Sequence, residues 1–173
     1  MGTFKETYLV TGGSRSGKSR YALELAKTAK KPYYIATGWA GDDEMSDRIK
    51  KHQAERGPHW STIETKTDLA GAIAEAVEKG SDFIIVDCLT LWTSNVLFEK
   101  KDEFEKLISS LKEIISKIKT PIVFVTNEVG SGIVPADKMT REFRDWAGFV
   151  NQKIAAAVNH VYLAVSGIPI KIK

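Results

Sequence analysis

The sequence predicts an α/β fold in which helices pack on one mainly parallel β-sheet, and two patterns support this. Short segments that are apolar throughout, such as residues 83–86, are typical of strands buried on both faces of a sheet. They alternate with longer stretches that carry apolar residues at helical spacing, which favours parallel βαβ units with right-handed crossovers. No repeat or linker divides the 173 residues. We therefore expect one three-layer α/β domain over residues 1–173.

Six segments are predicted as strands because they are short runs of β-branched, aromatic or other apolar residues. They are residues 8–11, 33–36, 83–86, 122–125, 161–165 and 168–172. The last segment follows Gly167, where we expect the chain to turn back. The sheet should therefore end in an antiparallel edge strand at the C-terminus.

Five segments are predicted as helices because apolar residues recur three or four positions apart. They are a first helix that runs to Lys30 after a glycine-rich turn, residues 42–56, residues 69–79 before Gly80, residues 104–118, and a long helix after the loop 130–135 with an apolar stripe from residue 143 to residue 154. Their order between the strands completes the alternation expected of the fold.

Composition and charge exclude several classes of protein. Lys and Arg number 25 against 22 Asp and Glu, giving a net charge of +3 without a long block of like charge, so we expect no nucleic-acid partner. No apolar run is long enough for a membrane-spanning helix, and the first residues lack the pattern of a secretory signal. The single cysteine, Cys88, suits a reducing compartment. We expect a soluble cytoplasmic protein without stable membrane insertion.

A phosphate-binding loop is the strongest motif in the sequence. It consists of Gly12, Gly13, Ser14, Arg15, Ser16, Gly17, Lys18 and Ser19, and it matches G-x-x-x-x-G-K-[ST] in full. It lies directly after a predicted strand and before a predicted helix, so its backbone amides and the helix N-terminus can bind nucleotide phosphates. Lys18 is expected to reach the β- and γ-phosphates as a catalytic residue, and the Ser19 hydroxyl to ligate Mg²⁺.

Asp87 is the second candidate because it ends the apolar segment 83–86. A carboxylate at the C-terminal end of a parallel strand lies on the ligand side of the sheet, where it can hold Mg²⁺ together with Ser19. The alternative is that Asp87 caps a helix beginning at residue 88 or 89.

Missing motifs narrow the class of nucleotide-binding protein. None of the asparagines begins an N-K-x-D sequence, and Asp87 is not followed by the D-x-x-G pattern of switch GTPases. The length excludes a large motor ATPase. A small-molecule kinase or a nucleotidyl transferase remains.

His52 is a third candidate, on the predicted charged helix 42–56. Arg48 and Arg56 lie one turn before and one turn after it, on the same face. Guanidinium groups beside an imidazole would suit a nucleophile that handles phosphate. Taken alone, this pattern is more typical of a histidine on a solvated surface.

Several further motifs give the chain a resemblance to a known family. They are T-G-G-S-R-S-G-K-S-R, Y-I-A-T, D-D-E-M, R-I-K-K-H, H-W-S-T-I-E, T-N-E-V-G-S-G-I-V-P, R-E-F-R-D and the ending V-S-G-I-P-I-K-I-K. In this order they resemble the bifunctional adenosylcobinamide kinase and adenosylcobinamide-phosphate guanylyltransferase family of cobalamin biosynthesis, from about Leu9 to Lys173. The resemblance implies a P-loop NTPase fold of the RecA-like kind.

The resemblance also implies roles for individual residues. His52 corresponds to the histidine that takes GMP from GTP as a covalent phosphoramidate. The nucleotide-binding positions that it adds to the P-loop are Thr37, Gly38, Trp39, Gln53, Ala54, Glu55, Arg56 and Glu64, together with Asp87. Two positions depart from relatives, in which Asp87 can be Glu and Lys51 can be a second histidine.

The implied activity has two steps and needs Mg²⁺ with ATP or GTP. The enzyme would phosphorylate adenosylcobinamide and then transfer GMP from GTP to adenosylcobinamide phosphate, and the family forms homotrimers. Two alternatives stay open. The chain could be a monofunctional P-loop kinase of another small alcohol with an idle His52, or a nucleotide-binding regulatory module without transfer chemistry.

Overall fold

A computed structural model of the chain describes residues 6–38 and 57–173. The strands are β1 (Thr7–Gly12), β2 (Pro32–Ala36), β3 (Ser61–Glu64), β4 (Phe83–Asp87), β5 (Ile122–Val125), β6 (His160–Val165) and β7 (Ile168–Lys171). The helices are α1 (Lys18–Leu25), α2 (Leu69–Glu78), α3 (Leu89–Glu99), α4 (Phe104–Lys117) and α5 (Lys138–Ala157), with a 3₁₀ turn over Lys101–Glu103 before α4. The helix predicted over residues 42–56 lies outside the described residues.

The strands form one sheet in the order β3-β2-β4-β5-β1-β6-β7. All neighbouring pairs are parallel except β6 and β7, which pair antiparallel with Val165 opposite Ile168. The predicted α/β class and the antiparallel C-terminal edge strand are therefore confirmed.

The two faces of the sheet are covered by different helices. Leu9, Ile35 and Phe124 face the side where α2, α3, α4 and α5 supply the larger cluster of buried apolar side chains. Their neighbours in sequence, such as Val10 and Val123, face the other side, where α1 packs through its buried Ala22. Both faces are buried, as the apolar strands predicted, and the helices and sheet make three layers.

The sequence analysis did not predict strand β3, and it considered helix α3 only as an alternative. The edge strand β3 holds one apolar residue, Ile63, and its side chains are no more than half-buried, so it lacks the apolar run by which the other strands were found. Helix α3 was considered only as a helix that Asp87 could cap. It buries Leu89, Trp92 and Val96 along with threonines on other sides, so no single apolar stripe marks it.

Helix α1 is shorter than expected and ends at Leu25, not Lys30. Beyond Leu25 the hydrogen bonds are of the 3₁₀ type, because the amides of Ala26 and Ala29 donate to carbonyls three residues earlier. The Asp82 carboxylate then accepts bonds from the amides of Lys30 and Lys31, and Pro32 begins β2. A proline disfavours helix in the residue before it, so Lys31 is unfavourable as a helical residue.

Helix α5 begins at Lys138, shortly after the loop 130–135 as expected, and before Phe143, the first residue of its predicted apolar stripe. The Asp137 carboxylate accepts a hydrogen bond of 2.7 Å from the amide of Thr140, which caps the first turn. Among the residues that the structure describes, no helix is long and apolar enough to cross a membrane.

Candidate active site

The carboxyl ends of the parallel strands bring the predicted residues to one edge of the sheet. Asp87 lies opposite Ala36 of β2 on one side and Val125 of β5 on the other. Glu64 lies opposite the same Ala36 from β3. Since neighbouring strands are about 4.8 Å apart, the backbones at Glu64 and Asp87 are separated by roughly 10 Å. A ligand of nucleotide size can span that distance.

The phosphate-binding loop joins β1 to α1, with Gly17 as the N-cap of the helix. Lys18 is 7% exposed. Its Nζ donates to the carbonyl of Gly13 at 2.5 Å and lies 3.5 Å from Oγ of Ser16, so the side chain folds back over the loop. Burial lowers the pKa of Lys18, and the negative charge of Asp87 opposes this shift. The Lys18 amino group is therefore buried within the loop, with Asp87 as a nearby negative charge.

The side-chain oxygens of Ser19 and Asp87 lie side by side next to the loop. The Ser19 hydroxyl donates to Oδ2 of Asp87 at 3.0 Å. A hydroxyl and a carboxylate at this separation fit Mg²⁺, which prefers oxygen ligands and usually keeps one or two protein ligands beside waters and phosphates. The described residues contain no group of three or more His, Cys, Asp and Glu side chains that could hold a metal.

Tyr34 is a residue of the candidate site that the sequence analysis did not identify. Its hydroxyl donates to the same Oδ2 of Asp87 at 2.8 Å, and its ring packs edge-on against Trp60. Tyr34 was treated only as part of a strand, although alternation along β2 puts it on the face where α1 lies. The Asp87 carboxylate is thus held from two sides, by Ser19 and by Tyr34.

The alternative role for Asp87, as a helix cap, does not fit the geometry. Cys88 occupies the N-cap position of α3, while Asp87 directs its carboxylate to Ser19 and Tyr34. Burial raises the pKa of the Cys88 thiol to about 12. Cys88 therefore stays protonated near neutral pH and is a poor nucleophile.

Thr37 joins the ends of β2 and β4 by its side chain. The hydroxyl, in a residue that is 1% exposed, donates to the Cys88 carbonyl at 2.7 Å and accepts from the Cys88 amide at 2.8 Å. Its carbonyl accepts from the side-chain amide of Asn95, which also donates to the Lys66 carbonyl. Thr37 and Asn95 thus position the strand ends. The sequence analysis did not identify this role of Asn95, which it examined only as one of the asparagines that do not begin an N-K-x-D motif.

The remaining predicted residues divide into two groups. Gly38 follows Thr37 at the same sheet edge, and Glu64 is exposed at the end of β3. Trp39, His52, Gln53, Ala54, Glu55 and Arg56 lie outside the described residues.

The other two histidines have separate surroundings. His59 is exposed and lies beside Trp60, with ring centroids 6.1 Å apart. His160 packs on Tyr8 at the start of β6, at the opposite end of the strands from the phosphate-binding loop. His160 therefore lies away from the candidate site.

The loop after β5 begins against the phosphate-binding loop. The amide of Glu128 donates to the Gly12 carbonyl at 3.0 Å. The Glu128 carboxylate accepts from the amides of Gly130 and Ser131, and hydrogen bonding to Ser131 lowers its pKa. An ionised Glu128 thus organises the turn that follows.

Comparison with known proteins identifies a family that matches the chain. The family model described as "Cobinamide kinase / cobinamide phosphate guanyltransferase" (CobU) matches residues 8–172. The chain is 41% identical to the bifunctional adenosylcobalamin biosynthesis protein CobU of Escherichia coli (strain K12), and the match covers 95% of this chain and 98% of that protein. It is 42% identical to the protein of the same name in Salmonella typhimurium (strain LT2), with the same coverage. For CobP of Pseudomonas aeruginosa the identity is 39%, over 95% of this chain and 96% of that protein.

Solved structures with low sequence identity share the fold. An ATPase of a bacterial type III secretion system has a TM-score of 0.61 at 12% identity, over 96% of this chain and 56% of that chain. A KaiC-like protein from Pyrococcus horikoshii OT3 has a TM-score of 0.53 at 13% identity, over 91% of this chain and 70% of that chain. These neighbours support the P-loop NTPase fold. Together with the family match over nearly the whole sequence, they lead to one conclusion: the chain belongs to the cobinamide kinase / cobinamide phosphate guanyltransferase family.

Proposed function

We propose that this protein is a bifunctional enzyme of cobalamin biosynthesis, an adenosylcobinamide kinase and adenosylcobinamide-phosphate guanylyltransferase. The observation that carries the proposal is family membership over residues 8–172, combined with a P-loop whose Ser19 lies 3.0 Å from Asp87. The kinase step transfers the γ-phosphoryl group of ATP or GTP to the hydroxyl of adenosylcobinamide. The second step transfers GMP from GTP to the resulting phosphate.

In the kinase step, the residues of the loop bind and orient the triphosphate. The loop amides and Lys18 neutralise charge on the phosphates, which phosphoryl transfer requires more than covalent catalysis. Ser19 and Asp87 would hold Mg²⁺, which neutralises charge on the β- and γ-phosphate oxygens when it is bound. Tyr34 keeps the Asp87 carboxylate turned toward Ser19.

In the guanylyl step, we propose that His52 is the nucleophile. A ring nitrogen of neutral His52 attacks the α-phosphorus of GTP, forming a P–N bond while the bond to pyrophosphate breaks. A phosphate oxygen of adenosylcobinamide phosphate then attacks the same phosphorus, which releases the histidine and gives adenosylcobinamide-GDP. The covalent intermediate lets two large substrates be used in turn. This assignment rests on the sequence, where Arg48 and Arg56 flank His52 at helical spacing.

We propose further nucleotide-binding residues outside the loop, and we propose a cellular compartment and an oligomeric state for the enzyme. Thr37, Gly38 and Glu64 contribute from the strand ends, with Trp39 and residues 53–56. The enzyme would act in the cytoplasm as a homotrimer, without a nucleic-acid partner.

Incubation with GTP labelled at the α- or γ-phosphate tests the proposal against its two alternatives. Covalent retention of α-label, together with transfer of γ-label to adenosylcobinamide, is the expected result. Transfer of γ-label without retained α-label would indicate a monofunctional kinase. If neither occurs, the protein is a nucleotide-binding module and the proposed function is wrong.

A further inference from the structure

The turn between β6 and β7 has a defined conformation. Val165 pairs with Ile168, so the hairpin closes through Ser166 and Gly167 alone. Both residues have positive φ, +51° at Ser166 and +84° at Gly167. Positive φ at both central residues is the hallmark of a type I′ turn, whose twist matches that of the flanking strands. The turn is therefore a fixed part of the sheet edge.

This turn contacts the phosphate-binding loop from outside. The amide of Gly167 donates to the carbonyl of Ser16 at 2.9 Å. The two backbones approach so closely that a β-carbon on Gly17 would lie 3.0 Å from Cα of Gly167. Arg20, in the first turn of α1, donates from Nη2 to the Gly167 carbonyl at 3.0 Å. Both polar groups of the Gly167 backbone thus bond to the loop and its helix.

The hydrogen bond from Gly167 fixes the orientation of one peptide unit in the loop. That unit joins Ser16 to Gly17, and in a trans peptide the C=O and N–H point in opposite directions. Because the Ser16 carbonyl points out to the hairpin, the Gly17 N–H points to the other side, into the loop. Inward-pointing amides of such loops bind phosphate oxygens.

We infer that the β6–β7 turn is a positioning element of the nucleotide site. Gly167 holds the peptide between Ser16 and Gly17 so that the Gly17 amide is already directed at a phosphate before nucleotide binds. This inference rests on the proposed nucleotide binding and extends it to the C-terminal hairpin. Since coupling between two sites is reciprocal, bound nucleotide must also stabilise the hairpin.

Two variants in the turn test the inference through the affinity of the GTP site. Calorimetry in the presence of Mg²⁺ uses the α,β-methylene analogue of GTP, because this analogue cannot transfer GMP to His52. Gly167→Ala places a β-carbon at positive φ and 3.0 Å from Nη2 of Arg20. We expect its Kd for the analogue to rise at least about fivefold, the lower end of typical coupling between sites. Ser166→Asn is the matched control, because Asn-Gly favours the same turn. Its Kd should equal that of the unaltered protein.

Hydrogen exchange of the unaltered full chain provides a readout that does not depend on whether a variant folds. The same α,β-methylene analogue of GTP, with Mg²⁺, should slow amide exchange in residues 160–171, while residues 104–117 of α4 serve as the internal control. Unchanged exchange in residues 160–171 on binding of the analogue, or an unchanged Kd in a folded Gly167→Ala, would overturn the inference and leave the proposed function intact. Failure of the unaltered protein to bind GTP would contradict the proposed function itself.

Discussion

The hydroxyl of Ser19 lies 3.0 Å from the Asp87 carboxylate, although the two residues are 68 positions apart in the sequence. One follows the phosphate-binding lysine and the other ends a central strand. Their pairing depends on α1 lying over the face of the sheet that Asp87 shares with Ile85. This contact brings together the two proposed Mg²⁺ ligands, Ser19 and Asp87.

Asp87→Asn should lower the kinase turnover and raise the Mg²⁺ concentration needed for half-maximal rate. A neutral amide is a poorer ligand than a carboxylate for a hard dication, while the side-chain shape is kept. The rate is measured across a Mg²⁺ titration. Asp102→Asn, at an exposed carboxylate in the 3₁₀ turn, is the control. Identical titration curves for Asp87→Asn and the unaltered enzyme would exclude Asp87 as a metal ligand.

Tyr34→Phe should shift the Mg²⁺ titration in the same direction as Asp87→Asn, but by a smaller factor. The substitution removes the hydroxyl that donates to Oδ2 of Asp87 at 2.8 Å and leaves the ring packed against Trp60. Loss of a hydrogen bond to a charged group costs about 1.5–3 kcal/mol. Tyr33→Phe, on the neighbouring buried ring that faces the other side of the sheet, is the matched control. Equal effects of the two substitutions would reduce Tyr34 to a packing residue.

Lys18→Ala should reduce both activities by at least about a hundredfold, since removal of a single charge-stabilising group in such sites costs roughly 2.7–4 kcal/mol. Both activities are affected because the sequence has one P-loop and no second phosphate-binding motif. The two steps are assayed separately in this variant and in Lys27→Ala, whose exposed lysine lies just beyond α1. Full guanylyl transfer without Lys18 would reveal a second nucleotide site.

Thr37→Val should destabilise the fold, and Thr37→Ser should not. Valine removes the hydroxyl that bonds to both the amide and the carbonyl of Cys88 in a buried position. An unsatisfied buried polar group costs about 1–3 kcal/mol, so we expect a loss of at least that size in the free energy of unfolding. Denaturant titration measures the difference. Equal stability of the valine and serine variants would mean that the hydroxyl does not hold β2 to β4.

The sequence predicts the parts of this site that local patterns encode. The phosphate-binding loop is contiguous, and Asp87 follows an apolar strand that is recognisable by itself. Tyr34, Asn95 and Gly167 act through contacts with residues more than 25 positions away. Their roles depend on which strand ends become neighbours in the sheet. A local sequence pattern does not predict which strands are neighbours.

The missed elements have similar causes. Strand β3 lies at the edge of the sheet with one apolar residue, so burial leaves little trace in its sequence. Helix α3 is buried on several sides, and its hydrophobic pattern therefore lacks the periodicity of a surface helix. The helices α2 and α4, each with one apolar face, were predicted close to their observed bounds.

The central claim is that His52 carries GMP during the second reaction. His52→Asn should abolish the adduct because asparagine has no nucleophilic ring nitrogen, while leaving much of the kinase activity, which depends on the loop. His59→Asn, at an exposed histidine in the described part of the chain, is the control and should form the adduct normally.

The most direct measurement is the intact mass of the unaltered protein after incubation with GTP and Mg²⁺, followed by peptide mapping. We expect the added mass of one GMP on the peptide containing His52, lost in acid and stable in alkali as a P–N bond is. GMP on Lys51 or His59, or an adduct that survives acid, would contradict the histidine mechanism.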